Sequence, residues 1–461
     1  MNLLRVHHKK EVDMLSGSIM KGLFAITMPI MAMNVLQALF SVVDMTVLEK
    51  FDLDGYSVGA VGSCSMLITL ITGLLIGISA GSNVLIARCI GLGERERAER
   101  AVGTSILFSL AGGFGLLVVG VIFAETFLRW TNCPEELLPG ATLYFRLYFL
   151  GVPILSLYSF AAAVLRSVGD SRRPMIYLTL GGIAKVLCNL FFVAVCKWSV
   201  TGVAVATLIS WAVSALLAIR ALIKTDTVIR LQRRHLRFYR HELAEILRIG
   251  VPAGVQQGLY SIANVVITAT VNTFGAAAAT GISIANQFDN ILYQISTAPA
   301  LAVMPYVSQN VGGGNVRRAK RSVAYGMLIT LALGATFGLL SAGFSGQLSS
   351  LMSSDPEVIA YSRQKMIIIS STYFICGINE ILGAAVRGLG RSVVPTASTL
   401  VYLCLLRFVW VYAVFPHLPP NLTFLYLVWP IGWVLSILTL LCFFFPIIRA
   451  LRRAERGGST V

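Results

Sequence analysis

The stretch Gly22–Leu48, GLFAITMPIMAMNVLQALFSVVDMTVL, decides the class of fold. About 20 apolar residues at ~1.5 Å rise cross ~30 Å of hydrocarbon, and this stretch is longer than that. Asn34, Gln37, Ser41 and Asp44 recur within it at steps of three, four and three residues. That spacing puts them on one narrow face of an α-helix whose other faces are apolar. In lipid such a stripe must turn toward other helices or a wet cavity, and a carboxylate inside a span is a candidate ion or proton site. Pro29, one turn in, removes a backbone donor and predicts a bend near the cytoplasmic end.

Composition agrees with that reading. Of 461 residues, 56% are apolar and only 13% charged, where a soluble domain carries about 25% charged residues. The net charge of +16 does not mark a nucleic-acid partner, because the basic residues follow the topology of spans and loops. Cys64, Cys89, Cys133, Cys188, Cys196, Cys376, Cys404 and Cys442 are scattered through mostly apolar segments with no Cys-x-x-Cys. They read as small packing residues rather than disulfides or metal ligands. His7, His8, His235, His241 and His417 lie outside the spans and form no ligand cluster. The short charged N-terminus has no small-residue cleavage site, so no removable signal peptide is expected.

Twelve spans follow, giving an all-α membrane protein of two pseudo-symmetric six-helix lobes. The first six cover 22–48, 57–86, 102–124, 141–165, 175–196 and 200–222, and the second six 246–273, 278–308, 322–345, 362–386, 393–415 and 424–448. The expected organisation is a cytoplasmic N-terminal segment (1–21), an N-lobe (22–222), a basic inter-lobe linker (223–245), a C-lobe (246–448) and a basic tail (449–461). With a cytoplasmic N-terminus, and with charges in the first or last turn of a span counted with the adjoining segment, cytoplasmic segments hold 29 of the 37 Lys and Arg; external loops hold Lys50, Arg129, Lys197, Arg363 and Lys365, and spans hold Arg146, Lys185 and Arg407. That bias is the positive-inside pattern and predicts both termini in the cytoplasm. The linker KTDTVIRLQRRHLRFYRH (Lys224–His241) is expected to lie, partly helical, along the anionic inner leaflet.

An internal repeat supports the division. IGLGERERAER from Ile90 returns as VGGGNVRRAKR from Val311, and Arg166, Gly169, Ser171 and Pro174 return as Arg387, Gly390, Ser392 and Pro395. Pro29 and Pro252 open the first and seventh spans. Six spans restore the starting side, so the halves are parallel repeats, a transporter design with its substrate site near the midplane. Their chemistry differs. Gln257, Ser261, Asn264 and Thr268 make the seventh span's polar face, but Ile267 stands where Asp44 would be; Asp289, Glu380 and Arg407 belong to the second half alone.

These motifs together resemble the multidrug and toxic compound extrusion (MATE) family over nearly the whole chain. The resemblance rests on Gly17 and Leu23 before Pro29, LQALFSVVD ending in Asp44, IARCIGLGERERAERAV (86–102), YFRLYFLGVPILSLYSFAAAVLRSVGDSRRP (144–174), SQNVGGGNVRRA (308–319) and ILGAAVRGLGRSVVP (381–395). It implies an antiporter in which inward flow of Na+ or H+ drives export of bulky, often cationic, amphipathic compounds between two lobes. No cofactor is implied beyond the coupling ion, and the expected partners are a small amphipathic substrate and the lipid bilayer. A monomer in the plasma membrane, a bacterial inner membrane, is expected.

Carried over by motif, the family's first-lobe site falls on Asp44, on Thr207 in GVAVATLIS, and on Lys185 and Asn189 in KVLCN. Lys185 departs from the family's acidic pattern: an ammonium that reached Asp44 would take the place of a coupling cation. The alternatives are a purely structural pair, or a Lys185 that points elsewhere. Glu380 and Arg407, in adjacent spans at mid-depth, are expected to pair with each other, for structure or for coupling. Asp289 in NQFDNILY lines the cavity or caps a hydrated helix. Met33, Tyr158, Tyr260 and Phe288 are cavity candidates beside the polar stripes, with Asn34, Gln37, Ser41, Gln257 and Asn264. No hydrolytic, nucleotide-binding or paired-carboxylate motif appears, so an enzyme is not expected. A lipid or lipid-linked oligosaccharide flippase of the same broad superfamily is the alternative reading; repeated charge rings of a channel are missing.

Overall fold

A bilayer offers no water to backbone amides, so a spanning chain must satisfy them within each segment. The computed structural model describes residues 12–51, 57–131 and 133–456 and answers with helices, no strand occurring among the described residues. Residues 1–11, with His7 and His8, and the end of the tail at 457–461 lie outside them. The first half carries α1 (Ile19–Phe51), α2 (Ser57–Leu92), α3 (Arg95–Trp130), α4 (Leu138–Ser167), α5 (Arg172–Asn189) and α6 (Ser199–Lys224). The second carries α7 (Arg240–Asn272), α8 (Ala276–Gly312), α9 (Val316–Gly343), the short α10 (Ser345–Ser350), α11 (Pro356–Ser371), α12 (Tyr373–Gly388), α13 (Val393–Ser398), α14 (Leu406–Val409), α15 (Leu422–Tyr426) and α16 (Val428–Arg456).

The twelve expected spans all fall on helical segments. Among the described residues nine are long and apolar enough to cross a membrane, and α11 with α12, bent by 45° at their junction, make a tenth. The remaining two are α7 and α8, at 33 and 37 residues; both are long enough, and their polar residues lower the hydropathy. The all-α, twelve-helix, two-lobe architecture is the fold.

The chain divides into two compact units: one built on Ala32–Gly250, the other on Asp13–Met31 together with the chain from Val251 onward. The divisions fall inside α1 and α7, next to Pro29 and Pro252, rather than at the 223–245 linker. Each half therefore lends the first part of its first helix to the opposite unit. Local bonds show why. In the second unit Arg318 donates to the carbonyls of Met14 (3.0 Å), Gly17 (2.9 Å) and Ser16 (2.5 Å), and Asn310 to Met14 O (3.0 Å). In the first unit the carbonyl of Ile246 lies where a Cβ on Gly81 would be, so this pair of helices meets backbone to backbone.

Between the end of α6 at Lys224 and the start of α7 at Arg240 the linker is irregular apart from one 3-10 turn at Arg233–His235, so it is helical only in part. It folds onto the first unit, where buried Glu99 gathers Arg95 (3.1 Å), Arg234 (3.2 Å) and His235 (3.4 Å). Thr104 donates to Arg237 O at 3.2 Å. The repeat is also visible in the backbone: Gly93 and Gly314 have φ of +77° and +71°, and Gly169 and Gly390 +80° and +78°. Matching turns thus use glycine at matching places, since only glycine enters that region freely.

Arg318→Ala is expected to release the 13–17 segment. Amide hydrogen exchange at these residues should rise at least about tenfold, as expected from losing even one charge-assisted bond of ~1.5 kcal/mol. Protection in α2–α6 should stay unchanged; unaltered exchange at 13–17 would show that the guanidinium holds nothing.

Candidate functional site

In the first unit α5 meets α1 through one face. Gly182, Lys185 and Asn189 follow each other at helical spacing, opposite Phe40 and Asp44 one turn apart on α1. A Cβ on Gly182 would overlap the Phe40 ring, so the glycine lets the two helices approach. With the helices this close, Lys185 Nζ donates to Asp44 Oδ2, and Asn189 Nδ2 donates to Asp44 Oδ1 at 2.5 Å. Asp44 is 8% exposed, and desolvating each ion costs several kcal/mol unless partners repay it. Directly after Asn189 the helix widens into a π-helical stretch, Leu190–Val195. Thr207, buried on α6, spends its hydroxyl on Val203 O of its own helix (2.9 Å) and makes no hydrogen bond to Asp44.

The second unit is built differently. Gln256, Tyr260 and Asn264 stand at i, i+4 and i+8 on α7, and each meets an ionisable side chain. Arg387 Nη1 donates to Gln256 Oε1 (2.9 Å), the Tyr260 hydroxyl donates to Glu380 Oε1 (3.0 Å), and Arg407 Nη1 donates to Asn264 Oδ1 (2.6 Å). The expected Glu380–Arg407 pair does not form. Glu380 is paired instead with Arg387, two turns further along the same face of α12, at 3.8 Å. Arg407 turns to the Trp429 ring, its Cζ 4.9 Å from the centroid. Arg387 carries the repeat motif and was not among the site residues expected from the sequence; the seven-residue step from Glu380 along one helix was the signal for it.

The balance of energies at Arg407 is uneven. It is 2% exposed, and no carboxylate lies within ion-pair distance of it among the described residues. A cation–π contact contributes ~0.5–2 kcal/mol and one neutral acceptor ~1.5–3 kcal/mol, against a desolvation cost of several kcal/mol per ion that a matched carboxylate would offset. Arg407 sits on α14, between π-helical stretches at Thr399–Leu405 and Trp410–Val414.

Asp289 is the third buried acid that falls inside the expected spans, after Asp44 and Glu380. It neither caps a helix nor stands alone: Lys365 Nζ lies 2.9 Å from its Oδ2 and also donates to Asn286. Lys365, in the first turn of the expected 362–386 span and counted there with the external loop, is 4% exposed well inside α11. Of the cavity candidates, Tyr158 is a packing residue whose hydroxyl donates to Pro174 O at 3.0 Å within a buried cluster. Met33 and Asn34 are buried, each 9% exposed, while Gln257 and Phe288 are half-buried and Gln37 is exposed. The side chains of Ser41 and Ser261 lie outside the described ones.

A family model described as MatE matches residues 29–192 and again 252–413. The chain is similar to a probable multidrug resistance protein, YoeA, of Bacillus subtilis (strain 168), at 27% identity over 83% of this chain and 84% of the relative. It is also similar to an FAD transporter of Shewanella oneidensis, at 25% identity over 73% of this chain and 74% of that one. Among solved structures, the outward-facing conformation of a multidrug resistance MATE family transporter of the MOP superfamily superposes with a TM-score of 0.90 at 21% identity, covering 97% of this chain and 100% of that one.

Lys185→Met leaves the Asp44 carboxylate with a single amide donor. Thermal unfolding in detergent micelles should show a loss of about 3–5 kcal/mol, the usual effect of breaking a buried pair from one side. Adding Asp44→Leu should recover most of it. A double variant as unstable as the single one would mean that charge pairing is not what joins α1 to α5 here.

Proposed function

The chain belongs to the MatE family, and from that premise we propose that it is a secondary active efflux antiporter, exporting amphipathic organic compounds against inward H+ by alternating access of its two lobes. The reading places it as a multi-pass protein of a bacterial inner membrane, both termini in the cytoplasm, acting as a monomer without cofactor. The names of its relatives, a multidrug resistance protein and an FAD transporter, support an organic, aromatic cargo.

The observation that carries the reading is the Asp44–Lys185–Asn189 cluster. A proton delivered to Asp44 removes the attraction to Lys185, so titration of the acid and the fit of α1 on α5 become one event. Sodium is the weaker candidate. Two unit positive charges about 4 Å apart repel by ~4 kcal/mol at an effective dielectric of ~20. That is roughly a thousandfold in affinity, and the Lys185 ammonium already fills the position. Glu380, hydrogen-bonded by Tyr260 and paired with Arg387, is the second acid that can take part in coupling. The resemblance implies cationic cargo, but Asp44, Asp289 and Glu380 each have a cation of this chain within 4.0 Å. None of the three is free to meet a cationic drug.

Inverted membrane vesicles test this with ethidium and flavin mononucleotide as probes, under imposed proton or sodium gradients. Uptake of at least one probe should follow the proton gradient and ignore sodium. In Lys185→Asn, sodium dependence should appear. No uptake under either gradient would end the antiport reading, and an unchanged ion dependence in Lys185→Asn would remove Lys185 from coupling.

A further inference from the structure

Among the described residues, the charges set inside the second unit do not sum to zero. Lys365 answers Asp289, and Arg387 answers Glu380, which leaves Arg407 as the surplus cation in that group. Its polar contacts are the Asn264 amide oxygen and the face of Trp429. Its titratable neighbours include Tyr260, Cys404, Cys376 and Tyr373, groups that are ordinarily neutral at pH 7. A guanidinium held by an amide and a ring is positioned but not neutralised. Its planar fork matches carboxylate and phosphate oxygens in pairs.

The backbone around it is also unusual. π-Helical turns, rare and concentrated at functional sites, flank the four residues of α14 on both sides. Asn264, exposed on α7, lies beside the guanidinium, so a ligand can approach past it. Trp429 is half-buried and Tyr260 lies one turn along α7 from Asn264, which gives the same place aromatic walls. Arg407 sits in the middle of its span, Val393–His417, away from the depth where resident lipid headgroups lie.

We infer that Arg407 is an anion-recognition residue of the second unit, held by Asn264 and Trp429, and that the cargo is an aromatic compound bearing a phosphate or carboxylate. The inference rests on the transport reading above and deepens it by setting the charge of the substrate. It reverses the cationic class that the family resemblance implies. A free buried guanidinium repels cationic cargo and gains its missing counter-ion from anionic cargo. The site then stays favourable for an anion in this unit, whatever ion drives the cycle in the other.

Flavin mononucleotide and riboflavin form a matched pair of probes: one ring system, with and without a phosphate. Binding to the purified full chain in phosphatidylcholine nanodiscs, with no gradient present, is read by quenching of flavin fluorescence. Flavin mononucleotide should bind at least about tenfold tighter than riboflavin, the scale of one charge-assisted contact. In Arg407→Gln the ratio should fall to about one through loss of the nucleotide's affinity, with riboflavin binding unchanged. Asn264→Asp places a carboxylate against the guanidinium and should abolish the preference as well, which keeps the test decisive if Arg407→Gln does not fold. Failure of the nucleotide to bind, or a preference that survives both substitutions, overturns the assignment. Phosphatidylglycerol added to the nanodiscs should leave the nucleotide's affinity unchanged. Competition by that lipid in the wild type that vanishes in Arg407→Gln would give the guanidinium to a headgroup and overturn the solute assignment. Because binding is measured without a gradient, loss of ion-driven uptake would strike the antiport reading and leave this one standing.

Discussion

Hydrocarbon cannot solvate charge, and most of what is specific about this chain follows from that. Its backbone meets the constraint by staying helical, and its ionisable side chains meet it by finding each other. Lys185 and Asn189 close on Asp44; Lys365 closes on Asp289; Arg387 and Tyr260 close on Glu380. All of these but Arg387–Glu380, which lies within α12, join side chains from different helices. The same bonds that make the charges tolerable therefore fix which helices touch, and at what height along their axes. Glycine makes the approach possible where it is tightest, as at Gly182 against Phe40.

The two units solve this problem from the same inherited frame with different residues. Matching positive-φ glycines at 93 and 314, and at 169 and 390, show that the turns kept their geometry. Matching π-helical stretches, Leu190–Val195 and Trp410–Val414, show that the fifth span of each half kept its irregularity. What changed is the chemistry beside those stretches: Lys185 and Asn189 next to an acid in one half, Arg407 next to an amide and an indole in the other. Duplication supplied two similar irregular helices, and substitution made one of them a closed ion pair and the other an open cation.

Much of this was legible before any coordinates. The twelve spans follow from long apolar runs, whose signal is summed over twenty or more residues and is hard to mistake. The polar stripe from Asn34 to Asp44 follows from helical spacing, whereas Lys185 and Asn189 are legible only through the family resemblance of KVLCN. Partner choice was less legible. Glu380 and Arg407 share a depth, but depth along a helix says nothing about rotation around it, and Glu380 faces Arg387 instead. Lys365, in the first turn of its expected span, has the same sequence signature whether it faces water or pairs with Asp289. On α7 the expected polar face and the observed ladder share Asn264, and the ladder adds Gln256 beside Gln257. An aromatic residue, Tyr260, supplies the hydroxyl at the middle of that ladder, and a polarity pattern does not count it. The attachment of residues 14–17 to the second unit depends on bonds from Arg318 and Asn310 to backbone carbonyls, which leave no periodic trace.

Closed pairs and an open cation also differ in what they can do. A pair such as Asp44–Lys185 is stable while both members are charged and loses its attraction when one is neutralised, so it is suited to reporting a proton. It is poorly suited to holding cargo, because any ligand must first displace a partner tied to the protein by its own backbone. An uncompensated guanidinium has the opposite character. It responds little to pH, since arginine stays protonated throughout the physiological range, and it gains most from a counter-ion brought from outside. A chain that must both sense protons and grip a solute gains by separating these tasks. Here the closed pair at Asp44 lies in one unit and the open cation at Arg407 in the other, so the acid that titrates need not be the group that binds.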